Sequence, residues 1–152
     1  MYLFNQLAVG IINKIIYLFF VSYYFSIGPV TFTLITDTGC LSPQMYDLAC
    51  ASDVLFLEAN YDETMLREGP YHPDLKNRIL SSTGHLSNKD ALYFLNELSE
   101  HPASRLKEVY FCHLSSNNNS PEVLEEEINT HLTWPGKRVI CPKGEMVNKL
   151  AD

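Results

Sequence analysis

Three polar residues close apolar, strand-like runs: Asp37 after Val30–Thr36, Glu58 at the end of the run from Asp53, and His113 after Glu108–Cys112. In layered α/β folds the strand ends are where ligands bind. A carboxylate or imidazole set there by a buried strand is held rigidly, as a metal ligand or a proton-transfer group must be. Each of the three, taken alone, also fits a turn-forming polar residue. A fourth candidate is His85 in Gly84-His85-Leu86-Ser87-Asn88. It stands just before a helix start, whose free N–H groups and dipole favour a phosphate or other anion. Ser87 and Asn88 at that start are candidate substrate contacts. Arg67 belongs with them, in the segment that also holds Lys76 and Arg78. His72, His101 and His131 lie in loop or exposed-helix contexts and read as solvated.

The elements that must position these residues follow from periodicity and punctuation. Val30–Thr36 alternates and is β-branched, which predicts a strand ending in the Asp37-Thr38-Gly39 turn. Ser42-Pro43 supplies an N-cap and an N1 proline for a short helix to about Cys50. Asp53–Glu58 is a second short strand. Asn60–Thr83 has little periodicity and reads as a long excursion with one helical turn near Leu75–Leu80; such loops are usually functional. Ser87-Asn88-Lys89-Asp90 has the form of a capping box and opens a helix from about Asn88 to Glu100. Glu108–Cys112 is a third strand, Ser120-Pro121 starts a helix to about His131, and Arg138–Cys141 is a fourth strand. Strands alternate with helices throughout, which predicts an α/β layered fold.

Composition narrows the class. With 46% hydrophobic and 19% charged residues in 152, the chain reads as mostly globular. Its net charge is −7, and because residues 1–29 contain only Lys14, residues 30–152 carry −8. An acidic domain argues against nonspecific nucleic-acid binding over a broad basic face, although a local basic patch stays open. Cys40, Cys50, Cys112 and Cys141 form no CxxC pair and have no zinc-finger histidine beside them. They read as reduced thiols of a cytoplasmic protein.

The first residues stand apart. Leu7–Phe25 is nearly all apolar, broken by Asn13, Lys14 and Ser22. Its length suits a membrane span, but Lys14 falls inside it and no basic residue precedes it. Its Ile, Tyr and Phe content equally suits buried strands. A third reading is translation from upstream of an internal or shifted start. The expected organisation is thus a segment of residues 1–29 and a domain of residues 30–152.

The motifs together resemble the metallo-β-lactamase fold. Ile35-Thr36-Asp37-Thr38-Gly39 is similar to the motif whose aspartate bridges two metal ions, and Phe111-Cys112-His113-Leu114-Ser115 to the final strand-end histidine ligand. Glu58-Ala59-Asn60-Tyr61 and Gly84-His85-Leu86-Ser87 resemble paired loops of the ribonuclease Z branch, in which the glutamate and histidine help move a proton at the leaving group. Small bacterial single-domain relatives, hydrolases acting on nucleic acid, are closer still. The resemblance spans roughly residues 30–145. It implies the C-terminal half of an αββα sandwich with a mixed sheet. The implied roles are metal ligation for Asp37 and His113, and catalysis for Glu58 and His85. It also implies two divalent ions, zinc or manganese, and a nucleic-acid substrate cut by phosphodiester hydrolysis. The family's His-x-His-x-Asp-His motif is absent, since no histidine precedes His72. Two ligands rarely hold a catalytic zinc. The chain alone is therefore expected to be a poor enzyme that does not retain its metal. The competing expectations are a noncatalytic piece that pairs with a separately encoded N-terminal half, or a protein tethered to a membrane by residues 7–25.

Overall fold

The structure is a computed structural model and describes residues 17–19 and 22–144. Its centre is one six-stranded sheet, and the strands lie side by side in chain order. β1 (Tyr17–Phe19), β2 (Ser22–Ile27) and β3 (Val30–Ile35) run antiparallel. Gly28 and Pro29 turn β2 into β3. Gly28 takes φ +58°, the positive value that a two-residue hairpin needs, and proline's fixed φ suits the next position. β4 (Val54–Glu58), β5 (Glu108–Cys112) and β6 (Lys137–Ile140) then continue parallel to β3.

Parallel neighbours need crossovers, and helices supply them. α1 (Pro43–Cys50) links β3 to β4, and α5 (Pro121–His131) links β5 to β6. α2 (Glu63–Glu68), α3 (Pro73–Ile79) and α4 (Asn88–Glu100) together link β4 to β5. Ser42, Asp62, His72, Ser87 and Ser120 each accept an N–H of the first turn, so all five helices start where a side chain satisfies an orphan donor. The excursion expected over residues 60–83 is therefore two short helices. Neither is long enough to show a clear apolar period.

Strand alternation sorts the sheet into two faces. Leu55, Leu57, Val109 and Phe111 face α1, α4 and α5, and form one core with Met45, Ala91, Leu95, Leu98, Leu124 and Ile128. On the opposite face Phe25, Phe32, Phe56 and Tyr110 make a ladder of rings, with centroids 5.2, 6.5 and 5.1 Å apart. Three of these rings are only half-buried.

The long apolar N-terminal stretch is strand over Tyr17–Phe19 and Ser22–Phe25, and its residues 7–16, 20 and 21 lie outside the described residues. The segment boundary expected at residues 29 and 30 falls in the β2–β3 turn, within the same sheet. Among the described residues no helix is long and apolar enough to cross a membrane.

The foot of the sheet is tied by one buried carboxylate. Asp53 accepts from the Thr31 N–H (3.0 Å) and hydroxyl (2.8 Å), and it pairs with Lys107 (2.8 Å) and Arg105 (3.5 Å). The Lys107 ammonium, with help from Thr31, holds this carboxyl far below the usual range. A lowered folded-state pKa gives stability that is present above the unfolded value, ~3.9, and is lost as pH falls through the folded value. Asp53→Asn should cost about 2 kcal/mol at pH 7. Urea titrations at stepped pH should show variant and wild type converging as pH drops below ~3.9. A constant gap down to pH 2 would contradict this.

Candidate functional site

Parallel strands end on the same edge of a sheet, so the residues that follow β3, β4 and β5 arrive together. Asp37 follows β3, Glu58 is the last residue of β4, and His113 follows β5. The chain leaving β4 is then zipped between two others. On one side, Asn60 N–H donates to Leu86 and Asn88 N–H to Tyr61, which brings in His85. On the other, Ala59 N–H donates to Cys112 and Ser115 N–H to Asn60, which fixes the His113 turn.

Two histidine side chains converge on one carboxylate oxygen. Glu58 is fully buried, and its Oε1 accepts from His85 Nδ1 at 2.8 Å and His113 Nδ1 at 2.6 Å. Its Oε2 accepts from the Thr38 N–H at 3.1 Å. A carboxylate only accepts, so both histidines carry their proton on Nδ1 and keep Nε2 for another partner. Asp37 Oδ1 stands 3.8 Å from His85 Nδ1 and 3.7 Å from His113 Nδ1. The Glu58 hydrogen bond raises the pKa of His113; burial and Lys143 oppose it.

Backbone strain marks the same place. Asp37 (φ 56°) and His113 (φ 60°) are the positive-φ residues other than glycine among those described. Such conformers cost roughly 1–3 kcal/mol each and persist where the surroundings over-determine them. The Asn60 amide secures one of them by donating to the His113 carbonyl at 2.8 Å. Gly39 and Gly84 allow the rest, because a Cβ on either would collide with the Ser81 carbonyl or those of Arg78 and Ile79. The Asp37 loop and His85 can therefore lie against the end of α3.

Asp37, Glu58, His85 and His113 each offer a donor atom within 4.8 Å of the others, a group able to hold one divalent ion. Oxygen and imidazole donors suit zinc and manganese. Beside them opens a cleft of about 790 Å³, lined among others by Asp37, Asn60, Tyr71, Arg78, His85, His113 and Lys143.

Sequence reasoning thus marks four residues that the structure brings together. The three expected substrate contacts are placed differently. Ser87 is buried as the cap of α4 and bonded to Asp90. Asn88 is buried and donates to Asn119 and Glu127. Arg67 projects into solvent and pairs with Glu63 at 3.9 Å. None of the three lines the cleft. Asn60, Tyr71 and Lys143 went unmarked; only the polar turn after β4 hinted at Asn60. The four cysteines are free, as expected, with Cys50 buried and Cys112 and Cys141 at the cleft. Burial pushes the Cys112 thiol up to about 12.

Likeness in space places the architecture in the metallo-β-lactamase fold. It matches the metallo-β-lactamase fold protein YhfI from Bacillus subtilis at a TM-score of 0.54 and 17% identity, over 82% of this chain and 42% of that one. In sequence, the chain is homologous to the exodeoxyribonuclease WalJ of Streptococcus pneumoniae, with 40% identity over 101 residues, 66% of this chain and 36% of WalJ. It is similarly related to the exodeoxyribonuclease YycJ of Bacillus anthracis, with 35% identity over 103 residues, 68% of this chain and 38% of YycJ. No family model matches the chain. The chain spans little more than a third of the length of these relatives.

The shared carboxylate gives a direct test. A raised folded-state pKa gives His113 a stabilising contribution present below the unfolded value, ~6.5, and lost as pH rises through the folded value. In metal-free protein, Glu58→Gln should lower the His113 pKa, read from its ring proton shifts against pH. An unmoved titration would contradict the geometry.

Proposed function

We propose that the chain carries the acidic and proton-handling side of a metal-dependent phosphodiesterase site acting on nucleic acid. The observation that carries this reading is the single Glu58 oxygen shared by His85 and His113, with Asp37 beside them. Asp37 and His113 are the metal ligands. Nδ1 of His113 donates to a buried carboxylate, the outer partner that commonly orients an imidazole for metal ligation through its other nitrogen. A divalent ion, zinc or manganese, supplies Lewis acidity to the scissile phosphodiester when bound.

His85 takes the second role. Glu58 fixes its ring and tautomer, and His85 faces the cleft from the start of the Gly84–Ser87 loop. From there, as the imidazolium, it gives its Nε2 proton to the leaving oxygen and keeps the Nδ1 proton on Glu58, its positioning residue. The relatives named exodeoxyribonucleases support a nucleic-acid substrate. The two ions that the fold family implies need more ligands than Asp37 and His113 supply. We therefore propose that activity requires the part of a WalJ-like protein that this chain does not span. The ring ladder of the sheet's open face fits that part. Alone, the chain should show no turnover.

The experiment mixes the full chain with that separately produced segment of WalJ, adds manganese or zinc, and follows cleavage of an oligodeoxynucleotide. The mixture should cut. His85→Ala should lower kcat by about 10²-fold at unchanged metal content, the usual worth of a positioned acid. His113→Ala should lose metal and activity together. A metal-loaded mixture that stays inert would defeat the reading. A His85→Ala variant changed only in KM would remove His85 from proton transfer.

A further inference from the structure

We propose that Cys112 and Cys141 are a modification site: a thiol pair, one at the end of β5 and one just after β6, that closes to a reversible disulfide when a small disulfide oxidant such as oxidised glutathione enters the cleft. The site is separate from the phosphodiesterase chemistry and does not depend on it.

The register of the sheet sets the two residues side by side. Phe111 stands opposite Ile140 in the parallel pairing of β5 with β6, and the Cys141 N–H carries the ladder one step further by donating to the Phe111 carbonyl at 2.8 Å. Cys112 and Cys141 are therefore the next opposed pair. Neighbouring strands lie about 4.8 Å apart, inside the Cα separation of roughly 4.4–6.8 Å that a disulfide spans. Opposed residues of a sheet share a face, and successive residues alternate between faces. Phe111 and Ile140 pack into the core under the helices, so both cysteines turn to the other face, where both line the cleft.

The remaining thiols have no such arrangement. Cys40 is exposed and Cys50 is buried, and neither lines the cleft. The eight residues of α1 separate them by about 12 Å, well beyond the reach of a disulfide. Cys112 and Cys141 are free thiols, each half-buried, in a cleft of about 790 Å³ that admits a small oxidant.

The chemistry is two exchanges. The thiolate of one cysteine attacks a sulfur of oxidised glutathione; a mixed disulfide forms, the oxidant's S–S bond breaks, and one glutathione leaves and takes up the proton. The thiolate of the other cysteine attacks the protein sulfur of that mixed disulfide, and the second glutathione leaves in the same way. The protein loses two hydrogens with their electrons, and the oxidant gains them. Because the register holds the second thiol in place, its effective concentration favours closure over a lasting mixed disulfide. The bond encloses α5 and β6 in a covalent loop and ties the segment after β6 to the residue before His113. Such a loop stabilises mainly by restricting the unfolded chain.

The test equilibrates the full chain with graded mixtures of oxidised and reduced glutathione at mildly alkaline pH, quenches with iodoacetamide and maps the cysteines by mass spectrometry. As the oxidised share rises, the monomer should lose two hydrogens and yield a linked Cys112–Cys141 peptide, with Cys40 and Cys50 in no protein disulfide. Dithiothreitol should restore both thiols. Cys112→Ser and Cys141→Ser should each abolish the link, and the wild-type chain should show a higher urea midpoint oxidised than reduced. Equilibration in concentrated urea should erase the selectivity and give other pairings, which separates native geometry from the reactivity of the thiols. Cys112 and Cys141 that stay alkylated at every ratio overturn the site, as does a link through Cys40 or Cys50 or between chains. Equal selectivity in urea, or a midpoint that does not rise on oxidation, overturns it as well.

Discussion

A carboxylate with no exposed surface must find partners inside the protein, because the cost of leaving it unpaired in a low-dielectric interior is several kcal/mol. Glu58 is such a group, and its two oxygens take three donors from three parts of the chain: Thr38, His85 and His113. Satisfying Glu58 therefore fixes the loop after β3, the loop before α4 and the turn after β5 with respect to one another. The strained backbone of Asp37 and His113 is held by the same contacts. Folding and site assembly are one event here. The site's chemistry draws on groups that the sheet edge must bring together to bury this side chain.

A second polar network lies behind the first. Asn119 donates to the Ala59 carbonyl and to Asn88, and Asn88 donates to Asn119 and Glu127. These bonds lock the strand leaving Glu58 to the start of α4 and to α5. They hold His85 at its distance from Glu58. Burial raises the Glu127 pKa, and the neighbouring Asp62 carboxyl adds to it. Buried polar networks rigidify when every member is satisfied.

The sequence made the frame legible because its signals are local. Alternating apolar runs gave the four parallel strands, and Ser-Pro pairs and Ser87 gave three helix starts within a residue or two. Asp37, Glu58 and His113 were marked by standing after strands, and His85 by standing before a cap. What stayed hidden depends on contacts between distant residues. Ser87 and Asn88 have the chemistry of phosphate contacts, but Asn119 and Asp90 claim their side chains from within the fold. Arg67 sits one turn after Glu63, which claims it. Helices α2 and α3 are too short for a period to show, and the pairing of β2 with β3 resolves an apolar stretch that suits strand or span equally. The approach of Tyr71 and Lys143 to the cleft, 13 residues after the end of β4 and 3 residues after the end of β6, carries no local signal at all.

The central claim is that one buried carboxylate gathers Asp37, His85 and His113 into a metal and proton-transfer site. The most direct measurement is a crystal structure of the chain grown with zinc, with the ion placed by anomalous scattering at the zinc edge. The account predicts one ion about 2.0–2.2 Å from donor atoms of Asp37 and His113, with Glu58 still fully buried beneath them. An ion elsewhere in the molecule, or Asp37 and His113 with ordered side chains turned away from each other, would contradict it.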